Sequence, residues 1–378
     1  MSQRLRVGIV GLKPDDGWAA RAHVPALRAL DKDFELVGAA NSSPESSVQA
    51  AAAFDLPQRF SSVEELVTSD MVDVVTVTVR VPYHFDIVTR AIQAGKSVYC
   101  EWPLGNGLSE AEELAALAAR HSAVCVVGTQ ARLAPEIQYL RALISNGIVG
   151  QVLSTTLVAT GGGWGGSIGS EKASGYLLDN ADGATMLTIP VGHALAALRD
   201  VVGELREISA VVVNRRPLVR VIDTGATLPM TAADQVLVAA ISDAGIPVSV
   251  HYRGGSSPDR GLVWEVNGTA GDLRLVAKSG HVQLEPLTLS GARAGATGFE
   301  VIEVPAQYLE NAPGAAVSGN VARVYSRMAA DIRNGTRTAP DFQDAVELHK
   351  VLEAVQDAAL SGGRVMTQTS NRLLPALT

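Results

Sequence analysis

At 378 residues and 47% apolar content, the chain is long enough for two domains with substantial cores and too apolar to be disordered. Its 31 Lys and Arg against 39 Asp and Glu leave a net charge of -8, which excludes the electrostatic footprint of a nucleic-acid binder. No apolar run reaches membrane-spanning length and the first strand starts close to Met1, so we expect a soluble, cytoplasmic chain with no signal peptide and no membrane partner.

The stretch from Arg6 to Leu30 organises the rest. Val7, Ile9 and Val10, with Gly8 and Gly11, read as a buried parallel strand running into a glycine turn. Gly17, Trp18, Ala19, Ala20, Ala22 and His23 open a crossover helix, which Pro25 kinks or restarts. A strand ending on Gly11 lets the backbone approach a pyrophosphate, and the helix start offers it unpaired N–H groups. Leu12, Lys13, Pro14, Asp15 and Asp16 separate the two glycines, however. The turn is thus about one residue longer than the G-x-G-x-x-G fingerprint, with Lys13 in the place of its middle glycine.

Phe34 to Ala40 is the second strand. Where an NAD-selective fold carries a carboxylate for the ribose 2'-hydroxyl, this chain has Asn41, Ser42 and Ser43, and no arginine stands there for a 2'-phosphate. The residues therefore select neither NAD nor NADP. Helices are expected over Ser46 to Phe54 and Val63 to Thr68, then a buried β-branched strand over Val72 to Val79. His84 follows it, and a helix over Asp86 to Ala94 ends on Gly95. Ser97 to Glu101 is a strand leading into Trp102, Pro103 and Leu104; Ser109, with Glu112 three residues on, is expected to cap a helix through Arg120, and Ala123 to Gly128 closes the series. This alternation predicts a doubly wound parallel sheet whose ligands collect at strand carboxyl ends, where Val79, Arg80, His84, Glu101, Trp102 and Gln130 fall. Cys100 and Cys125 lie in Val-containing strands and are expected to be buried and reduced; no metal-ligand spacing occurs, so no metal is expected.

Near residue 130 the pattern changes, dividing the chain into a dinucleotide-binding domain, 1–130, and an α+β domain, 131–378, whose closing helices can pack back on the first. Helix Pro135 to Asn146 precedes strand-like runs at Val152 to Ala159, Glu207 to Val213, Gln235 to Ile241, Val248 to Tyr252, Leu262 to Asn267 and Asp272 to Val276. These predict a large, open, mostly antiparallel sheet, with amphipathic helices over Asn320 to Asn334 and Phe342 to Leu360.

Five motifs in order resemble one family: the strand and glycine turn, H-x-P-A-L (His23 to Leu27), A-I-Q-A-G-K-S-V-Y-C-E-W-P-L (Ala91 to Leu104), G-T-Q-A-R (Gly128 to Arg132) and Gly192-His193. Together they resemble the glucose-fructose oxidoreductase and inositol dehydrogenase family, written Gfo/Idh/MocA. The resemblance spans essentially the whole chain. It implies a Rossmann domain, a second domain whose sheet covers the nicotinamide, hydride transfer at a sugar-ring carbon, and homodimers or homotetramers built on that sheet. Its departures are specific. The family's E-K-P lysine is replaced in Glu101-Trp102-Pro103; Ile189 stands where some members place an aspartate four residues before the histidine, here His193; and Arg80-Val81 replaces P-N. The altered turn, the Glu-Trp pair, Gly161 to Gly165 around Trp164, and Tyr176-x-x-Asp179 resemble the branch that contains the fungal galactose-regulon repressor, a sensor.

Each candidate has a plain structural reading beside its functional one. Glu101 positions the nicotinamide ribose or caps a turn, and Trp102 walls the cofactor pocket, its indole N–H being no usable proton donor. His193, in a mostly apolar stretch from Met186 to Leu198, is a general base or a core residue. Tyr176 and Asp179, at i and i+3, replace the lost acid and its orienter or form a surface pair. Trp164 stacks on a sugar face or sits in a flexible hairpin. Lys172 contacts an anionic substituent or is solvated, and Arg132 and His84 support the bound ligands or pack behind them. Three functions follow: an NAD(P)-dependent oxidoreductase on a pyranose or glycoside, a redox-neutral NAD-dependent glycoside hydrolase, or a non-catalytic cofactor-binding sensor.

Overall fold

Leu5–Val10 (β1) is buried along its last four residues because it pairs in parallel on both sides, with Phe34–Ala40 (β2) and with Val74–Val77 (β4). Short Gln58–Arg59 (β3), Ser97–Glu101 (β5) and Cys125–Gly128 (β6) complete a six-stranded sheet in the order β3-β2-β1-β4-β5-β6. That order reverses between β1 and β4, which opens a crevice at their carboxyl ends. The computed structural model describes residues 3–14, 17–309, 313–314 and 316–367. They form two units, Met1–Gln130 with Glu310–Val346, and Ala131–Leu309 with Glu347–Thr378.

The crossover helices of the first unit are Val24–Ala29 (α1), entered through a π-helical turn at Ala19–His23, then Pro44–Ala53 (α2), Val63–Thr68 (α3), His84–Gln93 (α4) and Leu108–Ala119 (α5). Ser43 caps α2 by accepting from the Ser46 N–H, while the Ser46 hydroxyl accepts from the Ser43 N–H. The cap expected at Ser109 is not formed. α5 starts two residues earlier, at Leu108, because Gly107 at φ 106° is its N-cap and sets the entry of the chain, and Ser109 falls inside the first turn.

In the second unit Pro135–Ser145 (α6) precedes a nine-stranded sheet. Its strands, and those of a small three-stranded sheet beside it, are Val152–Gly161 (β7), Ser167–Ile168 (β8), Leu205–Val213 (β9), Leu218–Val221 (β10), Thr227–Pro229 (β11), Gln235–Ser242 (β12), Pro247–Gly254 (β13), Leu262–Gly268 (β14), Gly271–Ala277 (β15), Thr288–Arg293 (β16), Glu300–Val301 (β17) and Val365–Met366 (β18). The large sheet runs β17-β16-β15-β14-β7-β13-β12-β9-β18 and is antiparallel except where β13 meets β7. The small one is β11-β10-β8. Short helices Glu171–Ser174 (α7) and Ala306–Leu309 (α9) flank Gly192–Val202 (α8) in the chain.

Ala316–Asn334 (α10) belongs to the first unit, and Phe342–Ser361 (α11) closes the described chain's helices. α10 brings Tyr325 into the first unit's core, its ring 5.7 Å from His23, 5.3 Å from Phe34 and 4.8 Å from Tyr99 between centroids. In the last turn of α10, the buried Asp331 carboxylate accepts from the Thr338 and Ala339 N–H groups and from the Thr336 and Thr338 hydroxyls, which fixes the return to the sheet, where Pro340 O accepts from Val127 N. No helix among the described residues is long and apolar enough to cross a membrane.

Candidate functional site

In the first unit the chain leaves β1 at Gly11 with φ +99°, and the Gly11 N–H donates to Ala40 O at 3.0 Å. A Cβ there would lie 2.9 Å from Val79 Cγ1 and 3.1 Å from Thr78. The elbow therefore admits no side chain, which is the condition for a backbone that a pyrophosphate approaches. Leu12 is buried, so it offers a ligand only its backbone. At Gly17 a Cβ would come 3.0 Å from Lys13 Cβ, so the lengthened turn folds back on Lys13; its Asp15 and Asp16 lie outside the described residues. Trp18 is half-buried and its Nε1 has no hydrogen-bond partner, an orphaned donor beside the elbow.

Asn41 and Ser42 stand at the end of β2 as expected, but Asn41 spends both amide hydrogens on backbone, donating to Leu12 O at 2.8 Å and Ser46 O at 3.0 Å. Its observed work is to brace the elbow. Ser42 is exposed at the strand end. Val79 and Arg80 follow β4, half-buried and exposed. His84 is buried, with Nδ1 2.8 Å from Pro103 O and Nε2 3.0 Å from Val79 O. Both partners are carbonyl acceptors, so the single N–H of the neutral ring donates to one of them, Pro103 O after β5 or Val79 O after β4, and burial lowers the ring's pKa. Its ring nitrogens contact backbone carbonyls just beyond the ends of these two strands.

Glu101 ends β5. His23 Nε2 lies 3.0 Å from Glu101 Oε1, His23 Nδ1 2.9 Å from the Tyr325 hydroxyl, and that hydroxyl 2.8 Å from Thr76 Oγ1. Thr76 donating to Tyr325, Tyr325 to His23 and His23 to Glu101 gives each proton an acceptor, so a buried chain of side chains fixes the carboxylate at the strand end. A Cβ on Gly128 would lie 2.7 Å from that same Oε1, so only glycine fits behind it. Trp102 is buried next to it. Gln130, 0% exposed, has neither amide atom paired, and the Thr129 hydroxyl is likewise unpartnered. A buried amide with a donor and an acceptor to spare suits a ligand carrying both.

In the second unit, a π-helical turn at Leu187–Val191 delivers Gly192 and His193 to the start of α8. His193 is 3% exposed, and its Nδ1 has no partner. Burial, helped by the neighbouring His281, lowers its pKa to about 3. The helix that carries it is anchored by Arg132, whose guanidinium donates to both Asp200 oxygens at 2.8 and 2.7 Å. Arg132 thus serves a bidentate ion pair and not a substrate.

Three further expectations are corrected. Tyr176 lies in a 3-10 turn, Gly175–Leu177, whereas Asp179 has extended backbone and caps the next turn, so the two share no helix face. The Asp179 carboxylate accepts from Ala181 N at 3.0 Å and Thr231 Oγ1 at 3.1 Å, which is structural work. Trp164 is 1% exposed, its indole N–H donates to Leu177 O at 2.9 Å, and its ring stacks on His281. It fills the glycine loop and presents no open platform. Lys172 is exposed on α7. Missed altogether were Tyr325, Thr76, His281 and Gln283. Only the last pair left a trace, since His281 and Gln283 flank a valine and so would share a face of an extended segment.

The low pKa values have a consequence for stability. His193 at about 3, His281 at about 4 and His349 at about 4 are all held neutral by burial. The unfolded chain binds more protons than the folded one between those values and the ordinary histidine value, so stability rises with pH across that window and is lost as pH falls. For the well-buried His193 and His349 the loss is about 2 kcal/mol each by about pH 5. Urea midpoints should fall between neutral pH and pH 5; a flat profile would mean that both rings are hydrated in solution.

A parallel sheet with a tight glycine elbow at its switch point and an orphaned amide at a strand end has the form of a dinucleotide-binding Rossmann unit, and the second unit carries a buried, neutral histidine. Residues 5–129 match the oxidoreductase family with an NAD-binding Rossmann fold, GFO_IDH_MocA, and residues 135–277 match the Gal80p C-terminal domain family. The chain thus joins a Rossmann domain of the Gfo/Idh/MocA type to a Gal80-like C-terminal domain. It is 27% identical to the galactose/lactose metabolism regulatory protein GAL80 of Saccharomyces cerevisiae, over 95% of this chain and 93% of that one. It is 29% identical to dehydrogenase aclE of Aspergillus oryzae, over 96% and 98%. The crystal structure of a super-repressor mutant of Gal80p from Saccharomyces cerevisiae matches with a TM-score of 0.86 at 25% identity, covering 96% of this chain and 98% of that one. Levoglucosan dehydrogenase in complex with NADH and L-sorbose shares the fold, with a TM-score of 0.81 at 21% identity, covering 96% and 99%.

Proposed function

We propose that this chain is a nicotinamide-dependent oxidoreductase that transfers a hydride at a ring carbon of a sugar or related polyol. The observation that carries this reading is His193, buried, uncharged at neutral pH and with Nδ1 unpaired. Bound nicotinamide supplies the hydride acceptor. The chain's own residues do the rest: Gly11 yields space to the pyrophosphate, Glu101, held by His23, offers a fixed carboxylate acceptor, the Gln130 amide takes a paired donor and acceptor, and His193 receives the hydroxyl proton. The dehydrogenase relative from Aspergillus oryzae supports this assignment.

A second reading is a cofactor-binding sensor. Trp102 and Ile189 occupy the places of two proton handlers, and an imidazole with a pKa near 3 is a weak base, all of which favour binding without turnover, as does the likeness to a yeast regulatory protein. Incubation with NAD or NADP and a panel of neutral sugars and aryl glycosides separates the readings. Growth of reduced-cofactor absorbance is expected; aglycone release without net reduction would mean a redox-neutral glycoside hydrolase, and cofactor binding without either product would leave the sensor.

We also infer self-association through the open face of the nine-stranded sheet. Val211, Leu237, His251, Val158, Val263 and Val276 stand in cross-strand register on that face, and Val211 and Val158 are 50% and 49% exposed. A row of five apolar side chains and one histidine across six strands suits a second copy of the same row. Leu237→Lys combined with Val158→Lys should turn a dimer or tetramer into a monomer by light scattering; an unchanged mass would place the interface elsewhere.

A further inference from the structure

Three side chains behind Glu101 bury polar groups where apolar ones would pack as well. Thr76, His23 and Tyr325 are each 0% exposed. They come from β4, from the π-helical turn that leads into α1, and from α10, and the last two stand 302 positions apart in the chain. Valine at 76 and phenylalanine at 325 would fill the same space without taking a hydroxyl out of water, and the net gain from a buried hydroxyl pair is small. What the hydroxyls supply is direction. The Tyr325 oxygen lies 2.8 Å from Thr76 Oγ1 and 2.9 Å from His23 Nδ1, so it accepts on one side and donates on the other. With Nδ1 taken up as an acceptor, the one proton of the neutral ring stands on Nε2, 3.0 Å from Glu101 Oε1.

The backbone is shaped for this arrangement. His23 closes the turn Ala19–His23, in which the Val24 N–H donates to Ala19 O, and this wider i→i+5 turn rotates the imidazole away from an α-helical path. Tyr325 meets His23 edge-on at 85° and Phe34 at 64°, and lies tilted on Tyr99, which fixes where its oxygen falls. We propose that Tyr325 is a positioning residue of the dinucleotide site: by engaging His23 Nδ1 it aims the Nε2–H at Glu101, so that α10 must be docked before the carboxylate is preorganised for a ligand. The coupling runs both ways, since a dinucleotide that binds only the ordered carboxylate favours the docked helix. This deepens the proposed function and rests on its dinucleotide binding, not on turnover.

The test follows NADH binding to the full chain by fluorescence titration, with hydrogen exchange read along α10. Tyr325→Phe keeps the aromatic packing and removes only the hydroxyl; it should raise Kd for NADH about tenfold, and Thr76→Val, which removes the outer donor alone, should raise it less. NADH should slow exchange in α10 of the wild type and do so less in Tyr325→Phe. His23→Leu should raise Kd at least as far, and adding Tyr325→Phe to it should change nothing further, because the hydroxyl acts through the imidazole. In spectra of the 15N-histidine-labelled chain the His23 proton is expected on Nε2, with the Nδ1 signal displaced in Tyr325→Phe. Wild-type affinity in a folded Tyr325→Phe chain would overturn the positioning role, as would a full further loss in the double variant, which would mean that the hydroxyl acts by another route. The expected losses of NADH affinity in a chain that turns over no sugar would support the role and sink the oxidoreductase.

Discussion

Replacing His193 with alanine is expected to lower turnover by roughly 10²–10⁴-fold while NADH affinity stays within about twofold of the wild type. The two effects separate because the imidazole lies in the second unit, whereas the elbow, Glu101 and Gln130 lie in the first. On the proposed function the lost rate is that of a general base, for which Trp102 and Ile189 offer no substitute. Alanine also removes a buried unpaired nitrogen, so stability should hold at neutral pH, and the acid-sensitive part of the unfolding profile should shrink by one histidine's share. Steady-state rates with reduced-cofactor absorbance, alongside a fluorescence titration of NADH, check both halves. A variant with unaltered rates would take His193 out of the chemistry.

Gly11→Val should abolish dinucleotide binding, raising Kd for NADH by at least about 100-fold. Valine at φ +99° is strained, and its Cβ would press on Val79 and Thr78 at 2.9 and 3.1 Å before its methyl groups are counted. Those methyl groups would fill the space a pyrophosphate needs. Gly11→Ala gives a graded control: a smaller loss of affinity in a chain whose far-ultraviolet dichroism matches the wild type separates blocked binding from failed folding. Calorimetric titration with NADH reads both, and near-native affinity in a folded Gly11→Val chain would show that the dinucleotide does not approach this elbow.

The sheet of the first unit was legible because its strands are buried on both faces, and Val74–Val77 and Cys125–Gly128 accordingly read as continuous apolar runs. The antiparallel strands of the second unit betrayed themselves by alternation and by glycines between them. Leu218–Val221 did not, since Arg215, Arg216, Pro217 and Arg220 around it read as a loop. Strand-end positions were recoverable: Gly11, Glu101 and Gln130 stand at or just after the ends of β1, β5 and β6. What each side chain does there was not. Arg132 and Asp179 look like free charges in a sequence, and only folding brings Asp200 and Thr231 to them. Spacing suggested one face for Tyr176 and Asp179, but that inference needs an unbroken helix, and the chain changes turn between them. Tyr325 reads as one more apolar position of an amphipathic helix, and its hydroxyl meets His23 from the far end of the chain.

That last pairing bears on how the protein is made. Translation delivers the six parallel strands first, but the tyrosine that shields His23, Phe34 and Tyr99 emerges from the ribosome only after residues 131–309 of the second unit have been synthesised. The nascent amino-terminal lobe must therefore wait, with an aromatic cluster open to water and to chaperones, until the late helix arrives to cover it.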